Sequence, residues 1–269
     1  MQTKLMAKII YRFSKEVFMD DTFFSSPKLS YQLLVIRVYA DPPKKYFTVT
    51  LRLMKNKNKE LYIKVLEKTK ENIKTFYQQY NNEQEFTIKN FHFDFEEGLY
   101  RAALNVFSHI TIKFRYWHFQ QLIEKSEKLF WKNNENQEIR ELFKRAITLP
   151  FIDTHYIKEV FDKIKLNLEG LPDKIKEFLQ YFQNQFLDHY LLQYWSYYKQ
   201  YSLRTNNSCE SYNKVINSYF VKKPIFWKLL YILRQEMSTV EKNYNDSIDF
   251  ENPFIKKMIN YILVKLNNV

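Results

Sequence analysis

Five short strand-like runs fall within the first 117 residues, and the spaces between the later ones carry helical periodicity. Glu16 to Met19 is a brief apolar run ending in Asp20-Asp21. Tyr31 to Ala40 and Tyr46 to Met54 are rich in β-branched, aromatic and leucine residues, and Asp41-Pro42-Pro43 separates them. Together they suggest an antiparallel pair. From Lys59 to about Gln79 the residues Leu61, Tyr62, Val65, Leu66, Ile73 and Phe76 recur mostly at helical spacing. Phe86 to Phe93 returns to a strand pattern. Glu96 to Phe107 reads as a helix with Glu96 and Glu97 placed favourably in its first turn, and Ile110 to Trp117 as a fifth strand. After His118 the pattern is almost purely helical to about Tyr201, with breaks at Pro150 and at Leu171-Pro172-Asp173. Ser208 to about Phe220 and Ile225 to Tyr244 are helical again.

Strand, strand, strand, helix, strand, helix, strand is the order expected of a ribonuclease-H-like core. The simplest architecture is therefore α/β: a mixed five-stranded sheet with helices, interrupted by a large all-helical insertion before the closing helix. On this reading residues 1–118 form the first part of the core, 119–205 the insertion, and 206–269 the closing helix with the C-terminal helices. A chain of 269 residues can hold one large domain or two small ones around a substantial core.

Two glycines, Gly98 and Gly170, are all the chain has. Phosphate loops and dinucleotide fingerprints need several for tight turns and close backbone approach, so nucleotide-cradling enzymes of those types are excluded. A single cysteine, Cys209, rules out an internal disulfide framework and a cysteine-rich zinc site. No apolar run approaches the roughly 18 residues that cross a bilayer, so no membrane partner is expected. Met1 to Phe13 carries Lys4, Lys8 and Arg12 and lacks a small-residue cleavage site, which is unlike a signal peptide. The formal charge of +12 fits a polyanion partner. Only nine of the 42 basic residues are Arg, and the chain is heavy in Asn, Ile, Phe and Tyr. AT-rich coding would produce the same bias, so charge alone carries half the weight.

Phosphodiester chemistry needs an activated oxygen nucleophile and a stabilised leaving oxygen, which two Mg²⁺ ions held by a few carboxylates can provide. Three acids occupy suitable places. Asp94 ends the fourth strand-like run, and Glu96 shares its parity. Asp20 or Asp21 ends the first, and local pattern does not separate them. Glu210 lies in the first turn of a helix, behind Arg204-Thr205-Asn206-Asn207. Each has a plainer reading. Asp94 could cap the following helix, Asp20-Asp21-Thr22 is a common turn signal, and Asn207-Ser208-Cys209-Glu210 resembles a capping box. Glu210 is also spaced for an i, i+4 surface pair with Lys214.

Taken together, the segments resemble the catalytic domain of Mutator-like element (MULE) transposases over about Val17 to Leu230. The carrying residues are Val17-Phe18-Met19-Asp20-Asp21-Thr22-Phe23, then Pro27 and Gln32-Leu33-Leu34; Phe93-Asp94-Phe95-Glu96 with Ala102-Ala103; Tyr116-Trp117-His118-Phe119-Gln120-Gln121; Tyr181-Phe182 and Trp195; and, most specific, Arg204-Thr205-Asn206-Asn207-Ser208-Cys209-Glu210-Ser211. The resemblance implies a ribonuclease-H-like fold and an Asp-Asp-Glu triad that carries over to Asp20, Asp94 and Glu210. These would hold Mg²⁺ or Mn²⁺, as two ions, for DNA cleavage and strand transfer. The choice of Asp20 over Asp21 rests on this match alone. Thr22, Glu96, His118, Arg204, Asn206 and Asn207 become candidates for supporting the acids or positioning DNA. Nuclear action follows from the DNA substrate, no zinc is expected, and a homo-oligomer is compatible.

Three departures stand out. Arg115 occupies the place where the family has Cys, Asp21 stands for the family's Gly, and only 19 residues precede Asp20. The last leaves no room for the family's N-terminal zinc-binding module. Two other functions are therefore carried: a transposase-derived, non-catalytic DNA-binding or regulatory protein, and a helical protein whose aromatic stripes between Phe119 and Tyr201 dock a partner.

Overall fold

The computed structural model describes residues 1–75, 86–130, 137–166, 172–199, 207–220 and 222–251. It is α/β, with a mixed five-stranded sheet of order β3-β2-β1-β4-β5 and many helices. The strands are β1 (Glu16–Thr22), β2 (Gln32–Ala40), β3 (Lys45–Met54), β4 (Asn90–Phe93) and β5 (Thr111–Phe114). The chain divides into two compact units. One comprises Met1–Phe91, Glu97–Ile110 and Asn207–Val269, the other His92–Glu96 and Thr111–Asn206. No helix of the described residues is long and apolar enough to cross a membrane.

In the first unit, β1, β2 and β3 form an antiparallel meander, with Asp20 opposite Val35, Asp21 opposite Leu34 and Thr22 opposite Leu33. The ladder thus continues through both aspartates. The sequence expectation ended this strand at Met19, because the apolar run stops there, but backbone pairing with β2 extends past the change in side-chain polarity. Residues directly opposite each other share a sheet face, and successive residues alternate. Asp20 and Thr22 therefore lie on the face of Val35 and Leu33, and Asp21 on the other.

That shared face is covered by two helices. Leu33, Val35 and Leu51 of the sheet pack with Ile216 and Phe220, at the end of α9 (Asn207–Ser218), and with Leu229 and Leu233 of α10 (Phe226–Glu251). Helix α1 (Lys4–Arg12) is a structural feature that the strand-first reading passed over. Met6, Ile9 and Ile10 recur at i, i+3 and i+4 and are buried, and Thr3 Oγ1 accepts the Met6 N–H at 3.1 Å as a cap. Helix α2 (Lys59–Ile73) packs against α3 (Glu97–Val106). A β-carbon on Gly98 would stand 2.6 Å from the Lys57 carbonyl oxygen, so this approach needs glycine.

Two strands are shorter than expected. Phe86 and Ile88 are buried, yet β4 begins only at Asn90, so their alternation marks burial and not ladder pairing. The strand read from Ile110 to Trp117 ends at Phe114. The Arg115 carbonyl accepts the N–H groups of His118 and Phe119, both at 3.2 Å, which turns the chain into α4 (Tyr116–Phe130). Trp117 and His118 are therefore helical, where the strand reading had His118 at a strand end. The predicted helix from Lys59 to Gln79 and the approach to Glu210 fall partly outside the described residues.

The second unit is helical beyond β5: α4, α5 (Gln137–Thr148), a 3₁₀ turn at Leu149–Phe151, α6 (Thr154–Leu166), α7 (Asp173–Phe182), a π-helical stretch at Gln183–His189, and α8 (Leu192–Trp195). Several of its aromatic residues form a core, while Trp117, Tyr156, Tyr181 and Tyr198 are exposed. Phe119 stacks on Trp195 with centroids 5.4 Å apart, Phe182 and Phe186 pack around them, and the Trp195 indole N–H donates to the Phe186 carbonyl at 2.9 Å. All four rings are fully buried. These four rings are core residues and are not available to a partner.

Candidate functional site

Asp20 and Glu210 belong to the first unit. Helix α9 begins at Asn207, which puts Glu210 in its first turn. Three and seven residues further on stand Asn213 and Asn217, and i, i+3, i+7 spacing aligns all three on one side of the helix. Asn213 Nδ2 donates to Asp20 Oδ2 at 2.8 Å and, more weakly, to the Asp21 carbonyl oxygen at 3.5 Å. Asn217 Oδ1 accepts from Thr22 Oγ1 at 3.1 Å and from Ser25 Oγ. The helix that bears Glu210 is thus fastened to the strand that bears Asp20 by two asparagines. Thr22, predicted as a supporting residue, is buried and serves this clamp.

Asp21 faces the other way, as the register requires. Its Oδ2 pairs with Lys57 Nζ at 2.7 Å, and the same ammonium lies 5.0 Å from the centre of the Phe23 ring. The two aspartates that local pattern left equivalent thus differ in surroundings: Asp20 meets a neutral amide on the α9 face, Asp21 a lysine on the opposite face.

On β2, Arg37 is half-buried and its guanidinium stands 4.9 Å from the centre of the Tyr212 ring. Burial pushes the Tyr212 phenol well above its ordinary range, and Glu236 beside it adds to the effect. The Glu236 carboxyl is itself raised by burial, with its hydrogen bond to Tyr212 and the charge of Arg37 acting in the opposite direction.

Asp94 belongs to the second unit, directly after β4. Phe93 and Phe95 on either side of it both pack on Phe114, with centroids 5.5 and 4.4 Å apart. The turn after it is closed by the Glu96 N–H donating to the Asp94 carbonyl at 2.6 Å. Asp94 Oδ1 is ion-paired with Arg115, whose side chain is only 4% exposed, and lies 2.9 Å from His118 Nε2. Next to Arg115 in the chain, the Tyr197 hydroxyl donates to the Phe114 carbonyl, and burial raises that phenol above its ordinary range. His118 thus touches a predicted acid, from a helix. Glu96 stands at the head of α3, which starts at Glu97.

Arg204 and Asn206 lie outside the described residues. Asn207 opens α9, and the description of its side chain is outside them as well. Sequence reasoning missed Asn213, Asn217 and the role of Arg115. Asn213 and Asn217 could have been found by extending the helical face of Glu210. Arg115 had been noted only as a departure from a family pattern.

Among the described residues, no three His, Cys, Asp or Glu side chains form a metal-holding group. The donor chemistry nevertheless suits a hard divalent cation. Within the first unit Asp20 and Glu210 carry carboxylate oxygens, and the buried Oδ1 of Asn213, on the side chain that binds Asp20, accepts no hydrogen bond. A buried carbonyl oxygen without a donor is costly unless a cation or its water satisfies it. The competition comes at Asp94, where a permanent cation already occupies one oxygen. No protein-family model matches the chain, and no curated protein matches it.

Proposed function

We propose that this chain is the catalytic core of a Mutator-like DNA transposase: a ribonuclease-H-like domain with a helical insertion, cutting and joining DNA with Asp20, Asp94 and Glu210. The single observation that carries the reading is the Asn213 clamp, which fastens the Glu210 helix to the Asp20 strand across 193 residues of sequence.

Asp20, Asp94 and Glu210 would hold Mg²⁺ or Mn²⁺, and a bound ion pair would supply both activation of the attacking oxygen and stabilisation of the leaving one. Asn213 fixes the rotamer of Asp20, so this carboxylate is oriented before anything binds. Arg115 and His118 do the same for Asp94, and the Arg115 guanidinium compensates its charge. The basic surface draws in the DNA backbone, and the nucleus is the compartment where such a substrate is met.

The ion pair between Asp94 and the buried Arg115 favours a second reading, a transposase-derived protein that binds DNA and regulates without cutting it. Nicking of supercoiled plasmid by the purified protein with Mg²⁺ or Mn²⁺, beside an Asp94→Asn variant, decides between the two. Metal-dependent nicking that disappears in the variant is the result expected of the catalytic core. DNA binding in both proteins with nicking in neither would establish the second reading.

A further inference from the structure

The first turns of α10 expose a set of side chains that neither the core nor the carboxylates use. Trp227 is 73% exposed and Tyr231 61%. They stand at i and i+4, with Arg234 completing i+7, so all three share one side of the helix. The opposite side carries Leu229 and Leu233 into the sheet, which fixes the rotation of α10 and keeps the aromatic side outward. Lys222, Lys223 and Lys228 are exposed around them, and no acidic residue occurs from Lys222 to Gln235. The segment before the helix is anchored: the Lys223 N–H donates to the Phe24 carbonyl at 3.0 Å, in the loop that follows β1.

Exposed aromatic rings that adjoin on one side of a helix, with Ile225 (75% exposed) just before it, form a patch of the kind that marks an interaction surface. Ringed by cations and free of acids, these faces match one kind of partner: a phosphate backbone whose bases are free to stack. Paired bases already stack on each other within a duplex, which leaves single strands as the substrate for such rings. We propose that Trp227 and Tyr231, with Lys222, Lys223, Lys228 and Arg234, form a stacking platform for unpaired nucleotides of single-stranded DNA. The platform uses no carboxylate and no metal, and it goes beyond the cleavage reading, whose failure would leave it standing.

Its test is fluorescence anisotropy of a short labelled oligothymidylate in EDTA. The wild-type protein binds it, and an unlabelled duplex of equal length competes poorly. The Trp227→Ala, Tyr231→Ala double variant loses affinity by about tenfold or more, the size expected for removing base–aromatic stacking. Trp227→Phe, which keeps a ring, retains most of the binding. Lys228→Ala with Arg234→Ala lowers both affinity and its dependence on salt. All these positions are exposed, so unchanged thermal melting shows that folding is intact. Asp94→Asn binds like wild type, which separates this site from the cleavage chemistry. Equal affinity of the double variant and wild type would overturn the proposal. So would tighter, Trp227-dependent binding to anionic lipid vesicles than to the oligonucleotide.

Discussion

Asp20 and Asp94 are each held by a neighbour that reaches them from a later part of the chain, and the two neighbours differ in kind. Asp20 receives a neutral amide from Asn213 on α9. Asp94 receives the buried guanidinium of Arg115, with His118 beside it. The first arrangement orients a carboxylate and leaves its charge intact for a cation. The second orients a carboxylate and compensates it already. A strand acid can therefore be fixed in place by either route, but only one of them keeps the full electrostatic attraction for a metal.

The comparison is broken most severely at Arg115. Arg115→Ala leaves Asp94 partly buried without its cation, and the expected loss is about 3 kcal/mol of stability by urea denaturation. The same variant should bind Mn²⁺ about tenfold more tightly, because a unit charge beside the carboxylate is worth at least ~1 kcal/mol even at high effective dielectric. Unchanged Mn²⁺ affinity would show that Arg115 does not compete for Asp94.

Next comes the neutral clamp. Asn213→Ala removes the donor to Asp20 and should cost about 1–2 kcal/mol, while plasmid nicking falls further than stability does. Asn213→Asp sets a like charge beside Asp20 and should be worse on both measures.

A smaller effect separates the two adjacent aspartates. Lys57→Ala should cost under about 1 kcal/mol, since the Lys57–Asp21 pair is partly open to solvent. Asp21→Asn should leave nicking near the wild-type level, whereas Asp20→Asn abolishes it. Loss of nicking in Asp21→Asn alone would reverse the assignment.

The smallest effect concerns Glu236, beside the half-buried Arg37. Burial raises the Glu236 carboxyl above its ordinary 4.5. The folded protein then holds this proton more tightly than the unfolded chain. The resulting stability is fully present below pH 4.5 and is lost as pH rises through the folded value. Glu236→Gln should flatten that slope and raise the melting temperature at neutral pH by a few degrees at most. A steeper slope in the variant would contradict the assignment.

Much of this frame was legible in the sequence. The strand and helix order follows from hydrophobic period, and β2 and β3 were bounded to within one residue because proline and turn residues delimit them. Other boundaries were not. The period of side chains reports burial, whereas β1 continues through Asp20 and Asp21 by backbone pairing that leaves no apolar trace. Likewise Trp117 and His118 look strand-like in composition, but the Arg115 carbonyl caps a helix there. Asp94 and Glu210 were readable as candidates because a place at an element end is a local property, whereas Asp20 lies inside β1 and was marked only by the end of its apolar run. Their partners were not, since Asn213 and Arg115 meet Asp20 and Asp94 through tertiary packing that one sequence does not display. Extending the Glu210 helix face by one turn would have reached Asn213.

The account rests on Asp20, Asp94 and Glu210 acting as one centre, and Mn²⁺ binding followed by electron paramagnetic resonance tests this most directly. Titrations would compare the wild type with Asp20→Asn, Asp94→Asn and Glu210→Gln, each shown to be folded by its melting curve. The account predicts that all three variants lose the same bound Mn²⁺, because removing any one acid dismantles a shared site. A variant that binds Mn²⁺ as the wild type does would take its acid out of the centre and contradict the claim.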